Sequence, residues 1–206
     1  MAYITDIRML RGVVGIYGDG TLLLRVAKKH FDKIKLSVGD DFDIEEYTDR
    51  IAALQSADAY EFALTCLDFS QRTASELTKK LVSRGYVRPA AEAAVQRLTE
   101  AGIIDDSRYA KRITETASRK NVGIYAMKRK LMAKGFSEED TENALETLDD
   151  EQQLSAAKAT AEKYRSKYSS LPPREARMKL SQALARRGFS WDVISNVLNS
   201  EEDYDE

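Results

Sequence analysis

The chain has 206 residues and a net charge of −2; 32% of its residues are charged and 43% hydrophobic, so it can bury a core and is not expected to be disordered. A single cysteine, Cys66, excludes a disulfide framework and a cysteine-based zinc site, and a single histidine, His30, excludes a histidine-rich metal site. No apolar run approaches ~20 residues and residues 1–10 lack the apolar segment of a secretory signal, which predicts a cytoplasmic protein that does not enter a membrane.

The first part of the chain, residues 1–52, predicts a small extension that contains a β-hairpin. Two β-rich runs, 13–17 and 21–26, flank the turn sequence Gly18-Asp19-Gly20. Residues 1–10 are long enough for a further strand, and a short helix is expected near 27–34. Because an isolated hairpin is marginally stable in water, we expect it to pack on the helices that follow or on a partner.

The rest of the chain contains three copies of one short pattern, in which a leucine is followed four residues later by glycine and then by an aromatic residue. The three glycines are separated by 50 and 53 residues, and apolar residues recur eight before and nine and ten after each one. A left-handed glycine just past a helix end closes a Schellman motif, in which the residue after glycine packs on the leucine. The pattern therefore predicts three helix stops. Their glycines and packing pairs are Gly85 with Leu81–Tyr86, Gly135 with Leu131–Phe136, and Gly188 with Leu184–Phe189.

Helix-start signals between these stops predict nine helices, three to a repeat. Thr73 and Glu76 form a capping box, Ser137 is an N-cap, and the prolines Pro172 and Pro173 separate two helices. The predicted spans are about 54–68, 74–84, 89–101, 106–120, 124–134, 138–148, 151–168, 174–187 and 191–199.

The predicted fold is therefore mainly α, a tandem array of three three-helix repeats that is elongated and curved. The repeats span 53–103, 104–149 and 150–200, and an acidic tail, 201–206, follows them.

The small net charge hides a block pattern. Residues 70–136 carry a net charge of +9 and residues 152–190 carry +7, whereas the stretches 1–69, 137–151 and 191–206 carry −4, −8 and −6. Basic blocks of this size attract phosphates or an acidic protein surface. Solvated helix faces with intramolecular ion pairs would produce the same pattern, so charge alone does not choose between the two.

Basic residues recur six, five and one positions before the first two stop glycines. The residues at −5 and −1 stack like charges on one helix face, which disfavours an isolated helix by about 0.2–0.5 kcal/mol per pair and suggests a binding role. The alternative, that Lys and Arg complement the dipole at a helix end, explains −1 better than −5 or −6. The third repeat keeps only the basic residue at −1, Arg187, with Arg186 beside it at −2. The basic residues on the long helix of the second repeat are also typical of a solvated face. The candidate binding residues are Lys79, Lys80, Arg84, Lys111, Arg112, Arg119, Lys120, Lys128, Arg129, Lys130, Lys134, Arg186 and Arg187.

Other side chains with potential chemistry are assigned to packing or to solvent. Cys66 is expected in a core, His30 at the surface, and Trp191 over the end of the third repeat. Of five tyrosines at helical spacing, most are expected to pack in a core or an interface and not to stack on bases: Tyr60, Tyr109, Tyr125, Tyr164 and Tyr168. No phosphate-binding glycine loop and no acid–base pair stands out. We therefore predict no catalytic residue, no metal, no cofactor and no enzymatic activity.

The repeats resemble the RecX family, regulators of the bacterial recombinase RecA. The resemblance covers about residues 55–200 and rests on the stretch 102–110 (GIIDDSRYA), on 123–136 with its Lys-Gly-Phe stop, and on 187–194 (RGFSWDVI). It implies a non-enzymatic helical-repeat protein that lies in the groove of the RecA–single-stranded DNA filament. Such proteins curb ATP hydrolysis and strand exchange and promote filament loss or block filament growth. The β-rich start is similar to an extension that some members carry.

The resemblance predicts a regulator of RecA in DNA repair, expected to be an inhibitor and a monomer, with single-stranded DNA contacted within the filament or directly. The sequence pI of about 5.7 and the acidic end, 201–206, depart from what a strong unassisted DNA binder would show. One alternative is a DNA-binding repressor built from three-helix units, because helix-turn-helix modules have a similar size. Another is a protein scaffold that binds no nucleic acid.

Overall fold

The computed structural model describes residues 1–199, and this part of the chain is mainly helical. The chain divides into two compact units, Met1–Asp105 and a second unit from Asp106 onward. The strands are β1 (Ala2–Tyr3), β2 (Asp6–Leu10), β3 (Val13–Gly18), β4 (Thr21–Ala27) and β5 (Asp41–Phe42). The helices are α1 (Lys28–Phe31), α2 (Ile44–Phe69), α3 (Ala74–Ser83), α4 (Arg88–Glu100), α5 (Asp106–Ser118), α6 (Ile124–Lys134), α7 (Glu138–Leu145), α8 (Asp150–Tyr168), α9 (Pro173–Arg186) and α10 (Trp191–Asn199).

The N-terminal extension contains the predicted hairpin. Strands β2, β3 and β4 form an antiparallel sheet in that order, and β1 pairs with β5. Asp19 and Gly20, between β3 and β4, have φ angles of 49° and 76°, the two successive positive values that a tight type I′ turn requires. The hairpin, the strand within residues 1–10 and the short helix that follows are confirmed.

Helix α2 begins ten residues earlier than predicted, at Ile44. The Asp43 side chain caps it by accepting hydrogen bonds from the N–H groups of Glu45 and Glu46 at 2.9 and 3.0 Å. The predicted boundary between residues 52 and 53 falls inside this helix. Its first turns bury Tyr47 and Ile51 against the sheet, whereas its later turns enter the core of the first repeat. The early turns form because the sheet supplies an apolar surface to cover them.

The three predicted helix stops are confirmed. Gly85, Gly135 and Gly188 have φ angles of +89°, +80° and +87°. In each stop the N–H of the aromatic residue donates to the carbonyl of the paired leucine, and both residues are buried. The distances are 3.3 Å for Tyr86 to Leu81, 3.4 Å for Phe136 to Leu131, and 3.3 Å for Phe189 to Leu184.

Each repeat has its own hydrophobic core, and the remaining helix bounds agree with the prediction to within three residues. The first core joins α2, α3 and α4, and Cys66 is buried in it as predicted. The second joins α5, α6 and α7, and the third joins α8, α9 and α10. The capping box of Thr73 and Glu76 and the Ser137 cap are both present.

The predictions for two single side chains, His30 and Trp191, are wrong, whereas four of the five tyrosines pack as predicted. His30 is 3% exposed, because α1 places it against α2, with Nε2 3.4 Å from Oδ2 of Asp58. Trp191 is 68% exposed, because it starts α10 one turn before the first buried residue of that helix, Ile194. Tyr125 is exposed on the first turn of α6, whereas Tyr60, Tyr109 and Tyr164 pack against the cores and Tyr168 stacks on Tyr164.

The predicted acidic tail, 201–206, lies outside the described residues. Within residues 1–199, no helix combines the length and the apolar character needed to cross a membrane.

Candidate partner-binding surface

The basic residues of the first repeat lie around its helix stop. Lys79 is exposed on α3 and lines a cavity of about 280 Å³ together with Arg25 of β4 and Arg88, the first residue of α4. Arg84 is the C-cap of α3, and its guanidinium carbon lies 5.5 Å from the ring centroid of Phe62. Two of the three predicted positions of this repeat therefore face solvent, and the half-buried Lys80 lies between them.

A second, open cavity of about 480 Å³ lies beside Arg84 and contains both signs of charge. Lys28 pairs with Asp32, and Lys29 pairs with Asp58 at 2.5 Å. Because these lysines already face carboxylates, this cavity offers a weaker attraction to an anion than the cavity around Lys79.

In the second repeat, two of the candidate cations meet at one tyrosine. The Arg112 guanidinium and the Lys134 ammonium each lie 5.5 Å from the centroid of the Tyr109 ring. The Tyr109 and Phe136 rings pack edge to face, with their centroids 5.4 Å apart. The ring face attracts both cations, and this attraction offsets part of the repulsion predicted from the sequence between Lys134 and Lys130, one turn earlier. The −1 positions of the first two repeats thus have a packing role.

The stop of the third repeat is joined to the turn before α6. Nη2 of Arg187 donates to the carbonyl of Lys120 at 3.1 Å. The N–H of Gly123 donates to the carbonyl of Arg187 at 3.0 Å, and the N–H of Tyr125 donates to that of Gly188 at 2.9 Å. Arg187 is therefore a structural contact between the second and third repeats. Lys120 takes part through its backbone, and its side chain is exposed in the turn.

The remaining candidates differ in how they are partnered. Lys128 faces Glu142 at 3.7 Å, as the intramolecular-pairing alternative expects. Among residues 1–199, no carboxylate forms an ion pair with the exposed side chains that remain. These are Lys111, Arg119, Arg129, Lys130 and Arg186.

Two basic residues of this surface were missed from the sequence, Arg25 and Arg88. Arg25 lies in the extension, outside the repeats, and Arg88 lies three residues after a stop glycine, whereas the recurring basic positions all precede it. The one available signal was that Arg25 interrupts the apolar run of 21–26, which marks an outward-facing position on a strand.

Comparison with known proteins agrees with the three-helix architecture. The model of the third three-helix domain of RecX matches residues 150–198, and that of the first matches residues 59–98. The regulatory protein RecX of Limosilactobacillus reuteri is 30% identical over 188 residues, which are 91% of this chain and 71% of that protein. The chain belongs to the RecX family.

Other RecX proteins extend the similarity over almost the whole chain. The regulatory protein RecX of Levilactobacillus brevis is 29% identical over 201 residues, 96% of this chain and 76% of that protein. A crystal structure of a regulatory protein RecX is 29% identical, with a TM-score of 0.67, and the match covers 97% of this chain and 100% of that one. The crystal structure of RecX from Lactobacillus salivarius also has a TM-score of 0.67, at 28% identity, over 72% of this chain and 97% of that one. The family supports a regulatory role for this RecX chain.

Proposed function

We propose that this RecX protein regulates the RecA recombinase, and that it inhibits it by binding the RecA–single-stranded DNA filament. The observation that carries the proposal is the recurrence of an exposed basic residue at the same place in two successive repeats. Lys79 on α3 and Arg129 on α6 each lie six residues before the stop glycine that follows their helix. Neither side chain has a carboxylate partner among residues 1–199. Repeated positions of this kind suit a partner that is itself repetitive.

Repetition strengthens binding without any single strong contact. Each exposed cation contributes little alone, but contacts made by successive repeats of one chain act at a high effective concentration along a polymeric partner. The basic side chains would meet DNA phosphates or acidic recombinase surface, and the buried aromatic stops would keep each repeat rigid. In this proposal the protein is a cytoplasmic monomer, needs no cofactor and turns over no substrate.

The test is ATP hydrolysis by the cognate RecA on single-stranded DNA, titrated with this protein. Inhibition well below a one-to-one ratio supports the proposal and indicates action at filament ends or on growth. Inhibition that needs near-stoichiometric protein supports it and indicates coating of the groove. Unchanged or faster hydrolysis contradicts inhibition. A footprint on one palindromic DNA sequence without recombinase would then favour the repressor alternative.

A further inference from the structure

The cavity between the N-terminal extension and the first repeat is built by three basic residues from three different elements. Arg25 comes from β4, Lys79 from α3 and Arg88 from the start of α4, and all three side chains are exposed. Thr78, Val82 and Ser83 complete the lining, so none of the described residues that line this cavity is acidic. Three like charges around one concave surface repel each other, and an anion bound between them would offset that repulsion.

The positive charge of this cavity is only slightly compensated within the described chain. Arg25 and Lys79 form no ion pair with a carboxylate of residues 1–199. Arg88 lies 3.3 Å from Glu92, but both side chains are more than half exposed, and exposed pairs of this kind are weak. The cavity around Arg84 differs, because Asp32 lines it and Asp58 pairs with one of its lysines.

The backbone that carries these residues is held in place by buried hydrogen bonds. The N–H of Ala27, two residues after Arg25, donates to the carbonyl of Gly85 at 2.8 Å. The buried side chain of Gln55 donates to the same carbonyl at 2.9 Å and accepts from the N–H of Val87, the residue before Arg88, at 2.7 Å. The strand and the turn are thereby fixed against each other, so the backbone that carries Arg25 and Arg88 is in place before any ligand arrives.

We propose that this cavity binds a phosphate group, and that the N-terminal extension completes the site by supplying Arg25. The planar guanidinium groups of Arg25 and Arg88 can each donate two parallel hydrogen bonds to phosphate oxygens, and Lys79 adds a compact charge. The hydroxyls of Thr78 and Ser83 donate to backbone carbonyls of their own helix, so the three basic residues are the donors of this site. The phosphate comes either from a nucleic acid strand or from a small phosphorylated molecule, and the test separates these sources.

The experiment measures binding of two probes to the full chain without recombinase, so its outcome is independent of the proposed action on RecA. A fluorescent single-stranded oligo(dT) is followed by anisotropy over a salt series, and inorganic pyrophosphate is followed by calorimetry. The variants are Arg25→Gln, Arg25→Lys and Lys79→Gln. Arg50→Gln is the matched control, because Arg50 is exposed on α2 of the same unit and does not line the cavity.

We expect Arg25→Gln and Lys79→Gln to weaken oligonucleotide binding about fivefold or more. The slope of log affinity against log salt concentration should become shallower by about 0.7 for each DNA phosphate that the variant no longer neutralises. Arg25→Lys should retain part of the affinity and Arg50→Gln all of it.

If the cavity variants lose pyrophosphate binding but keep oligonucleotide binding, the result also supports the site. It then identifies a small phosphorylated molecule as the source of the phosphate. The proposal is overturned if neither probe binds the unaltered chain, or if Arg25→Gln and Arg50→Gln bind both probes equally. Circular dichroism confirms that the variants are folded.

Discussion

Gly123 has no room for a side chain, although its backbone conformation suits any residue. Its φ is −75°, but a Cβ atom there would overlap the backbone of Gly188 and Phe189 in the third repeat. The same close approach brings Gly188 against Ala126. The contact between the second and third repeats therefore depends on backbone packed directly on backbone.

Gly123→Ala should lower the free energy of unfolding of the second unit by about 3 kcal/mol, the upper end of the cost of overpacking, because backbone must move to relieve the overlap. Asn121→Ala is the control, because Asn121 lies in the same turn with a φ of +51°. An alanine there costs only about 1 kcal/mol for the left-handed backbone conformation. Urea unfolding of both variants measures the difference. Equal destabilisation would show that the two repeats do not need this close approach.

At the scale of elements, a buried polar cluster fastens α1 to α2 and to the first helix stop. His30 of α1 faces Asp58 of α2, which also accepts a hydrogen bond from the Tyr86 hydroxyl at 2.7 Å. Burial lowers the pKa of His30, and the Asp58 carboxylate opposes this only in part. Burial acts to raise the pKa of Asp58, but the hydrogen bonds from Lys29 and Tyr86 hold it below its ordinary value.

The first unit should lose stability as the pH falls from about 6.5, the ordinary pKa of histidine, toward the lower pKa of folded His30. In that window the unfolded chain binds the proton more readily than the folded chain, so protonation favours unfolding. Thermal unfolding between pH 7.5 and 5 measures the effect, and His30→Gln should flatten it, since His30 is the only histidine of the chain. Protonation of Asp58 lowers stability further only at more acidic pH, because its pKa is held below the ordinary value of 3.8. A pH profile that is the same in His30→Gln would contradict this account.

At the scale of the whole molecule, regulation in our proposal depends on exposed charge distributed over the repeats. Reversing four basic residues should abolish inhibition of RecA ATP hydrolysis while helicity persists, because these side chains pack in no core. They are Lys79, Lys80, Arg129 and Lys130. Lys128 is left unchanged because it pairs with Glu142.

The matched control reverses four exposed basic residues outside this set and changes the net charge equally. They are Lys35, Arg50, Lys158 and Lys163. The control should inhibit as the unaltered protein does. Full inhibition by the first variant would refute the assignment of the binding residues, and loss of inhibition in both would indicate that net charge alone matters.

The sequence by itself determined the three helix stops and most helix bounds. A stop needs only a leucine, a glycine and an aromatic residue within six positions, and a capping box needs two residues three apart. Such signals act through contacts within one or two helix turns, so they are visible without knowledge of the fold. The repeat cations, such as Lys79 and Arg129, were also visible, because they recur at a fixed distance from the stop glycines.

The early start of α2 also has a local signal, because Asp43 caps the helix and Glu46 follows it by three residues. Only the tertiary structure decided the burial of Tyr47, the burial of His30 and the place of Arg25. Each depends on residues far apart in the chain: Tyr47 lies against the sheet, His30 against Asp58, and Ala27 donates to Gly85. Their energies come from surfaces that exist only once the extension and the first repeat have packed together, and local sequence carries no record of such surfaces.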